Sequence, residues 1–437
     1  MSEQWANWAG NQSVTGIVTA HPRGPEEIAA VLLRASGEGR RVRPVGSGHS
    51  FTGIACPDPG SVQLVLDRWS DAVSVDAANG LVTVQAGMPL HRLNRLLEAA
   101  GLAMANLGDI EQQTISGALS TGTHGTGAAY GGLATQLRAL ELVLPDGSLL
   151  RCSAEENPDV FAAARVGLGA LGVVSTLTLA VVPLFAIRAE EGPMPLEETL
   201  ARFDELVAAH DHVEFYWFPH SRMTLLKRNT RLPLEAGLAP LPAWREWWDD
   251  EFLSNTVFGG LVALGRRFPG VVRPSARVAS RALGARTFTD VSHKVFTSPR
   301  RVRFLEMEYA VARADLLGVV RELVDAVERS ELRIAFPVEV RVSAADDITL
   351  STASGRDSGY VAVHLPAGTD PAEYFGILER IAGQVGGRPH WGKLHTLDAE
   401  ALVDRYPRFE EFQALRKRLD PSGLLGNAYL DRVLGKG

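Results

Sequence analysis

Residues 43–51, RPVGSGHSF, form the stretch around which the rest of the sequence is organised. A short β-like run ends in a turn with Gly46 and Gly48 on either side of Ser47, and His49 follows. Glycine accepts positive φ and close approach to a ligand, so the turn can offer several N–H groups to a phosphate. The turn contains neither G-x-G-x-x-G nor G-x-x-x-x-G-K-[ST], so the usual dinucleotide and P-loop mechanics do not apply to it.

A second glycine-rich stretch occupies residues 106–127, NLGDIEQQTISGALSTGTHGTG. It has the same crowding of Gly, Ser and Thr and few bulky side chains. Either stretch alone is compatible with an ordinary turn, and His49 alone with a structural histidine. Together they predict two backbone loops that close on one large phosphate-bearing ligand.

The amino-acid composition limits which classes of protein the chain can belong to. The chain has 437 residues, 46% hydrophobic and 22% charged, which is typical of a globular protein of two or three domains. Its net charge of -7 argues against nucleic acid as a partner. Cys56 and Cys152 are too few for a disulfide scaffold or a cysteine metal cluster and suit a reducing cytoplasm. No secretory signal, transmembrane segment or His-based metal motif is predicted, since the 11 histidines lack ligand spacing.

Up to residue 182 the pattern predicts one mixed α and β nucleotide domain. A helix begins at Pro25 with Ile28, Val31, Leu32 and Ala35 on one face, and the strand 41–45 leads into the first glycine turn. Further predicted elements are strands at 61–67, 81–85 and 172–182, a helix at 88–101, and a hairpin that turns at 145–147.

From residue 183 the pattern predicts a second, α+β domain. Helix 196–209 is followed by strand 213–219, and the same order returns in helix 315–329 and strand 334–342. A sheet covered by helices on one side would satisfy this pattern. The segment 232–290, with Trp244, Trp247 and Trp248 and then many arginines, is interpreted as a solvated helical insertion; a membrane-surface or partner site is the alternative.

Two short motifs could carry chemistry. Glu339 and Arg341 lie two apart on a predicted strand and so point to the same face. Two charges on a buried strand are costly unless they form an ion pair or share a polar ligand. His390, Trp391 and Lys393 lie within RPHWGK, residues 388–393. Each of these residues alone has an ordinary structural explanation.

Together these motifs resemble the vanillyl-alcohol-oxidase (PCMH) type of FAD flavoprotein, and within it the sugar-1,4-lactone and alditol oxidase group. The resemblance covers most of the chain, through GSGHSF, TGTHGTG, LGALGVVS, FPVEVR, GRDSGYVAVH, RPHWGK and LDPSGLLGNAY. It implies a two-domain α+β fold: an FAD-binding domain at 1–182, an α+β substrate-binding cap at 183–387 with the insertion at 232–290, and a C-terminal segment at 388–437 that returns to the FAD domain.

The resemblance also implies the site. His49 would bond covalently to the flavin. The remaining implied cofactor-binding residues are Arg43, Pro44, Val45, Gly46, Ser47, Gly48, Ser50, Gly108, Asp109, Ser116, Gly117, Ser120, Thr121, Gly122, Thr123, His124, Gly125, Gly172, Val173, Val174, Trp391 and Lys393. The implied catalytic residues are Glu339, Arg341, Lys393, His364, Asp109 and His390.

The implied reaction is oxidation of an L-gulono-, L-galactono- or D-arabinono-1,4-lactone beside its carbonyl, with hydride transfer to flavin N5 and an ascorbate-like product. A cation in a dry site, Lys393 or Arg341, would stabilise the developing negative charges, and Glu339 would position substrate hydroxyls. Gly108 favours O₂ as acceptor, since related lactone oxidisers keep this position small. Asp109 and Pro366 replace hydroxyl-bearing residues of alditol-oxidising relatives and favour a lactone.

Three alternatives stay open. The chain could be an alditol oxidase that produces an aldose and H₂O₂. It could be a nucleotide-sugar or peptidoglycan-precursor reductase, which would use NADPH and a free flavin. It could also be a binding protein that has lost catalysis, although the joint presence of Glu339, Arg341 and Lys393 argues against this.

Overall fold

A computed structural model describes residues 3–248, 255–281, 284–298 and 300–436. The first part of the chain contains β1 (Glu3–Ala6), β2 (Ser13–Ala20), α1 (Pro25–Gly37), β3 (Val42–Val45), β4 (Val62–Val65), β5 (Ala72–Asp76), β6 (Leu81–Gln85), α2 (Leu90–Ala99), β7 (Leu102–Ala103), α3 (Ile115–Ser120), β8 (Leu137–Val143), β9 (Leu149–Ser153), α4 (Pro158–Ala164), β10 (Val173–Ala180) and β11 (Val182–Pro183).

The remaining elements are β12 (Phe185–Pro195), α5 (Leu196–Ala209), β13 (His212–Trp217), β14 (Met223–Pro233), α6 (Ala243–Glu246), α7 (Phe258–Arg267), α8 (Val272–Arg281), β15 (Arg286–Val291), α9 (Ser292–Phe296), β16 (Phe304–Ala312), α10 (Leu316–Arg329), β17 (Val338–Ser343), β18 (Ser358–Pro366), α11 (Ala372–Gln384), β19 (Arg388–Pro389), α12 (Ala399–Val403), α13 (Phe409–Leu419) and α14 (Ala428–Leu434).

Two larger sheets and the two-stranded pair β11-β7 form the first part. A four-stranded sheet has the order β1-β2-β4-β3, with β4 parallel to both β2 and β3. A five-stranded antiparallel sheet has the order β5-β6-β10-β8-β9. The predicted apolar face of α1 is confirmed, because Ile28, Val31, Leu32 and Ala35 are all buried, in a core shared with β3 and β4. This packing fixes the end of β3, where the first glycine turn begins.

An eight-stranded antiparallel sheet dominates the second part, in the order β15-β12-β14-β13-β17-β18-β16-β19. One face packs against α5, α10 and α11 and forms an apolar core. Helix α5 has the predicted bounds, and β13, β17 and β18 lie where strands were predicted. The opposite face carries ionisable side chains from seven neighbouring strands, which we call the charged row: Arg286, Glu191, Lys227, Glu214, Tyr216, Glu339, Arg341, His364, Glu306 and Glu308.

The sequence patterns did not predict four strands of this sheet, β12, β14, β15 and the two-residue β19. β12 and β14 pair over their full eleven residues, from Phe185 with Pro233 to Pro195 with Met223. Their second halves carry charges, Gly and Pro, which sequence rules associate with loops. The interpretation of 232–290 as wholly helical was wrong at its end, since Arg286–Val291 pairs with β12 as an edge strand.

The C-terminal segment packs on the first part of the chain. Asn427 donates to the backbone oxygens of Gly53 and Cys56, each at 2.8 Å. Helix α14 buries Leu430 and Val433 in the same core as β6 and β10. In the described part of the chain, no helix is both long and apolar enough to cross a bilayer.

Candidate functional site

A cavity of about 360 Å³ lies beside the first glycine turn. The predicted cofactor-binding residues that line it are Arg43, Pro44, Val45, Gly46, Ser47, Gly48, His49, Ser50, Ser116, Gly117, Ser120, Thr121, Gly172, Val173 and Val174. They come from three separated segments, so the fold brings together the two glycine-rich stretches and the start of β10. The sequence interpretation did not include Thr114, Leu168 and Gly169, which also line this cavity.

The cavity wall offers unused polar groups. Within the described residues, the backbone N–H groups of residues 46–50 donate to no other backbone or side-chain acceptor. The buried His49 Nδ1 and Thr114 Oγ1 also lack a hydrogen-bond partner. Buried polar groups are normally satisfied, so this concentration fits a ligand rich in hydrogen-bond acceptors, as a dinucleotide diphosphate is.

Glycine is required at two points of this wall. Gly48 has a φ of +68°, in the left-handed region that favours glycine. A Cβ on Gly46 would lie 2.4 Å from Thr114 Oγ1, so a side chain there would close the gap between the two glycine-rich stretches. Both positions keep the cavity open.

Arg43 braces the cavity. Its guanidinium donates to the backbone oxygens of Ile54 at 2.7 Å, Leu425 at 2.9 Å and Gly169 at 3.1 Å. Burial, with the nearby charge of Arg416, lowers its pKa to about 9. Because these donors already have carbonyl partners, the side chain joins β3 to the C-terminal segment.

The centre of the charged row is a closed network. Arg341 contacts Glu339 at 2.5 Å and Glu214 at 2.8 Å, and Tyr216 donates to Glu339 at 2.6 Å. Lys227 reaches Glu214 at 3.4 Å. Burial, with the neighbouring carboxylates, raises the pKa of Glu339. Burial alone would raise the pKa of Glu214, but the positive charges of Arg341 and Lys227 outweigh burial and lower the pKa.

Lys393 joins the row through Glu306. Its ammonium pairs with one oxygen of Glu306, and His364 Nε2 lies 3.6 Å from the other. Burial opposes the charge of Glu306, but Lys393 and His364 outweigh it and hold its pKa at about 2. His364 Nδ1 lies 3.0 Å from the carbonyl oxygen of Pro337 and so donates its proton there. Both ring nitrogens of His364 therefore face oxygen atoms, Nδ1 that of Pro337 and Nε2 that of Glu306.

The row and the cavity meet at His49. The backbone N–H of Phe51 donates to the carbonyl of Gly392 at 2.7 Å, and Lys393 Nζ lies 5.2 Å from the Phe51 ring centre. The His49 ring stacks on Trp8 at 5.7 Å. Burial, and then the charge of Lys393, lowers the pKa of His49, so its ring is a neutral nucleophile near pH 7.

A second buried cluster lies beside these residues. His124 Nε2 contacts Glu308 at 3.0 Å, and its Nδ1 faces the carbonyl of Gly125 at 2.9 Å. Burial lowers the pKa of His390 to about 4, and its Nδ1 accepts from the Gly392 N–H at 3.1 Å. His124, Glu308 and His390 offer three ligand atoms that lie within 4.8 Å of one another. That the chain binds no metal therefore stays a prediction.

Asp109 is held beside the centre of the charged row, near Arg341 and Lys227. Ser298 donates to one of its oxygens at 2.7 Å, and Arg300 contacts the other at 2.6 Å. Burial raises its pKa, but Arg300 and Arg341 outweigh this and hold the pKa below its usual range. Asp109 does not line the cavity, so it is placed with the charged row.

Residues 122–125 lie behind the cavity wall. The Thr123 N–H donates to Ala118, and a Cβ on Gly125 would lie 2.1 Å from the carbonyl oxygen of Leu107. A Cβ on Gly108 would meet Thr123 Cγ2 at 3.0 Å. The two ends of the second glycine-rich stretch therefore pack on each other, and Gly108, Gly122, Thr123, His124 and Gly125 support the cavity without lining it.

Trp391 is fully buried, donates to Leu350 at 2.7 Å and stacks on Tyr406. Its side chain therefore supports RPHWGK from the core.

Sequence reasoning missed seven members of the charged row and Arg300 beside it; the seven are Arg286, Glu191, Lys227, Glu214, Tyr216, Glu306 and Glu308. The signal that identified Glu339 and Arg341 was available for four of them, since VEFYW and FLEMEY also place polar residues two apart on apolar strands. For Arg300 no comparable pattern existed.

Comparisons with known proteins identify the family of the chain. A family model described as D-arabinono-1,4-lactone oxidase matches residues 177–433, and one described as FAD binding domain matches residues 17–153. "L-gulono-1,4-lactone dehydrogenase" of Mycobacterium tuberculosis is 41% identical over all of both chains. "L-gulonolactone oxidase" of Bos taurus is 34% identical over 98% of each, and "Alditol oxidase" of a Streptomyces species 33% identical over 99% of this chain and 100% of the relative.

Solved structures share the fold. "Solvent-stable cholesterol oxidase" has a TM-score of 0.84 at 21% identity and covers 98% of this chain and 97% of that one. The cholesterol oxidase from B. sterolicum has a TM-score of 0.83 at 18% identity, with 99% and 97% covered. The predicted α+β fold of the vanillyl-alcohol-oxidase (PCMH) type is thus confirmed, and the chain belongs to the D-arabinono-1,4-lactone oxidase family of FAD-dependent oxidoreductases.

Proposed function

We propose that the chain oxidises an aldono-1,4-lactone, such as L-gulono-, L-galactono- or D-arabinono-1,4-lactone, at the carbon beside the carbonyl, giving an ascorbate-like product. The observation that carries this proposal is the meeting of Glu339, Arg341, His364 and Lys393 on one buried polar face beside His49. FAD, when bound, supplies the hydride acceptor at N5.

The chain's own residues bind and orient the substrate. Arg341 and Lys393 stabilise the negative charge that develops on the reacting oxygen. Glu339, held by Arg341 and Tyr216, accepts hydrogen bonds from substrate hydroxyls and orients the ring. His364 Nε2 lies 3.6 Å from Glu306 and helps to hold that carboxylate beside Lys393. His390 positions the Lys393 backbone, whose N–H donates to the His390 carbonyl at 2.9 Å.

The cavity and its flanking glycine stretches hold FAD, with His49 as the covalent attachment point. The unpartnered N–H groups of residues 46–50 support a diphosphate there, and the depressed pKa of His49 supports nucleophilic attachment. The domain division at residues 182 and 387 and a cytoplasmic location belong to the same proposal. O₂ is the acceptor favoured by Gly108, which would give H₂O₂.

Alditol oxidation is the second candidate, supported by the Streptomyces relative's name. Asp109 and Pro366 replace hydroxyl-bearing residues of alditol-oxidising relatives, and these replacements favour the lactone. Steady-state rates on xylitol and on the three lactones separate the candidates, and faster turnover of xylitol would overturn the lactone proposal.

The absorbance of acid-precipitated protein tests the attachment. Yellow colour should stay with the pellet of the wild type and be released from His49→Ala. Cys56→Ser, a substitution outside the cavity, is the control and should keep its colour. Flavin released from the wild type would contradict covalent attachment, and loss of colour from the control would contradict its assignment to His49.

A further inference from the structure

The segment between β14 and β15 exposes an unusual set of apolar side chains. Trp244, Trp247 and Trp248 are 70%, 57% and 45% exposed, and Phe268 is 53% exposed. Leu261 and Leu264 on α7 are also exposed. All exposed tryptophans of the described residues lie in this segment, whereas the other exposed apolar residues are aliphatic. We call these six residues the aromatic surface; exposed apolar side chains concentrated in one segment are typical of interaction sites.

The same segment is strongly basic. Residues 255–281 contain five arginines and no acidic residue or lysine, in a chain whose net charge is -7. Arg266 and Arg267 lie at the end of α7, beside Leu264 and Phe268. Three acidic residues at 249–251 separate the tryptophans from this run and lie outside the described residues. Arginines beside exposed aromatic rings are complementary to a negatively charged surface that has an apolar interior.

Contacts hold the segment on the second part of the chain. Arg273 donates to the carbonyl of Ser330 at 2.8 Å, and Arg266 donates to that of Ala367 at 3.3 Å. The Asn255 side chain accepts from the Arg301 N–H at 2.9 Å, next to the residue that pairs with Asp109. The aromatic surface is therefore attached beside the charged row.

We propose that the aromatic surface docks peripherally on a bilayer that contains anionic lipids. The tryptophan rings lie at the level of the headgroups, and the side chains of Leu261, Leu264 and Phe268 enter the boundary of the acyl chains. The arginines pair with lipid phosphates. A peripheral contact needs no spanning helix, which agrees with the described helices. The inference does not depend on the substrate proposed above.

Flotation of the full-length protein with lipid vesicles tests this proposal. Vesicles of phosphatidylcholine alone are compared with an equimolar mixture of phosphatidylcholine and phosphatidylglycerol. We expect flotation with the mixture, weaker flotation with phosphatidylcholine, and a decrease as salt is added. Because each arginine near an anionic surface contributes on the order of fivefold in affinity, Arg266→Glu with Arg267→Glu should weaken binding by on the order of 30-fold or more.

Two further variants distinguish binding through the aromatic surface from non-specific adsorption to the vesicles. Trp244→Ser with Trp247→Ser and Trp248→Ser should abolish flotation and leave lactone turnover in solution unchanged. Arg329→Glu with Arg380→Glu changes the same charge on exposed positions of α10 and α11 and should float like the wild type.

Three results would overturn the proposal. Flotation with neither kind of vesicle would exclude the bilayer. Equal flotation of the tryptophan variant would exclude this surface. A wild-type dimer that becomes monomeric in the tryptophan variant, measured by light scattering without vesicle binding, would assign the surface to a second copy of the chain.

Discussion

Replacing Glu306 with glutamine removes the charge that Lys393 and His364 share. The pKa of Glu306 is held at about 2, against an ordinary value of 4.5, which corresponds to about 3 kcal/mol of stability at pH 7. Breaking a buried ion pair from one side costs about 3 to 5 kcal/mol, since the partner charge stays buried. We therefore expect Glu306→Gln to lower the free energy of unfolding by about 3 kcal/mol at pH 7.

The pH dependence gives this prediction its sign. A carboxylate with a depressed folded pKa stabilises the protein fully above its unfolded pKa, and this contribution disappears as the pH falls towards the folded pKa. The gap between wild type and Glu306→Gln should thus be full at pH 7, begin to shrink below 4.5 and be nearly closed at about pH 2. Urea unfolding of both proteins over this range measures the gap.

A surface pair supplies the matched control. Glu322 lies 3.8 Å from Arg380, and both side chains are largely exposed, so Glu322→Gln should cost less than about 1 kcal/mol. Glu306→Gln should also reduce kcat by on the order of a hundredfold, because Lys393 loses its fixed position. The reasoning is refuted if Glu306→Gln unfolds within about 1 kcal/mol of the wild type at pH 7.

Other positions give independent tests. Gly108→Ala puts a methyl group 3.1 Å from the carbonyl oxygen of His124, so oxidation by O₂, followed by stopped flow, should slow more than oxidation by a dye; equal slowing would argue against an oxygen path. Asp109→Ser releases Arg300 and should raise kcat/KM for xylitol relative to the lactone by on the order of tenfold; an unchanged ratio would remove Asp109 from specificity. Glu308→Gln should lower the free energy of unfolding, measured by thermal unfolding, by about 3 kcal/mol, and adding His124→Gln should restore part of that loss. Losses that simply add in the double variant would show that the two residues are not coupled.

Local patterns sufficed where one element decides its own structure. The apolar spacing of α5 predicted its bounds because a single face is buried against a single sheet. The two glycine-rich stretches were recognisable for the same reason, since each carries its own turn residues. Elements of this kind need no information about their neighbours.

Cross-strand partners could not be predicted in this way. The sequence of β12 is typical of a loop. In the structure its charged side chains face the polar side of the sheet and contact side chains of β14 and β15, as Glu191 contacts Arg286 at 2.7 Å. Glu306 faces His364 only because β16 and β18 are neighbours, although 58 residues separate them in the printed numbering. Register between distant strands depends on the whole sheet, and a single sequence does not contain it.

The contacts of Arg43 and Asn427 bear on how the protein is made. Arg43 donates to Leu425, and Asn427 to Gly53 and Cys56, so the wall around the first glycine turn is built from both ends of the chain. Domains are usually completed in the order in which the ribosome delivers them. Here the first part must wait, with its turn incomplete, while the entire eight-stranded sheet is synthesised. We therefore expect the wall of the cavity to be completed only after residues 425–427 have been synthesised.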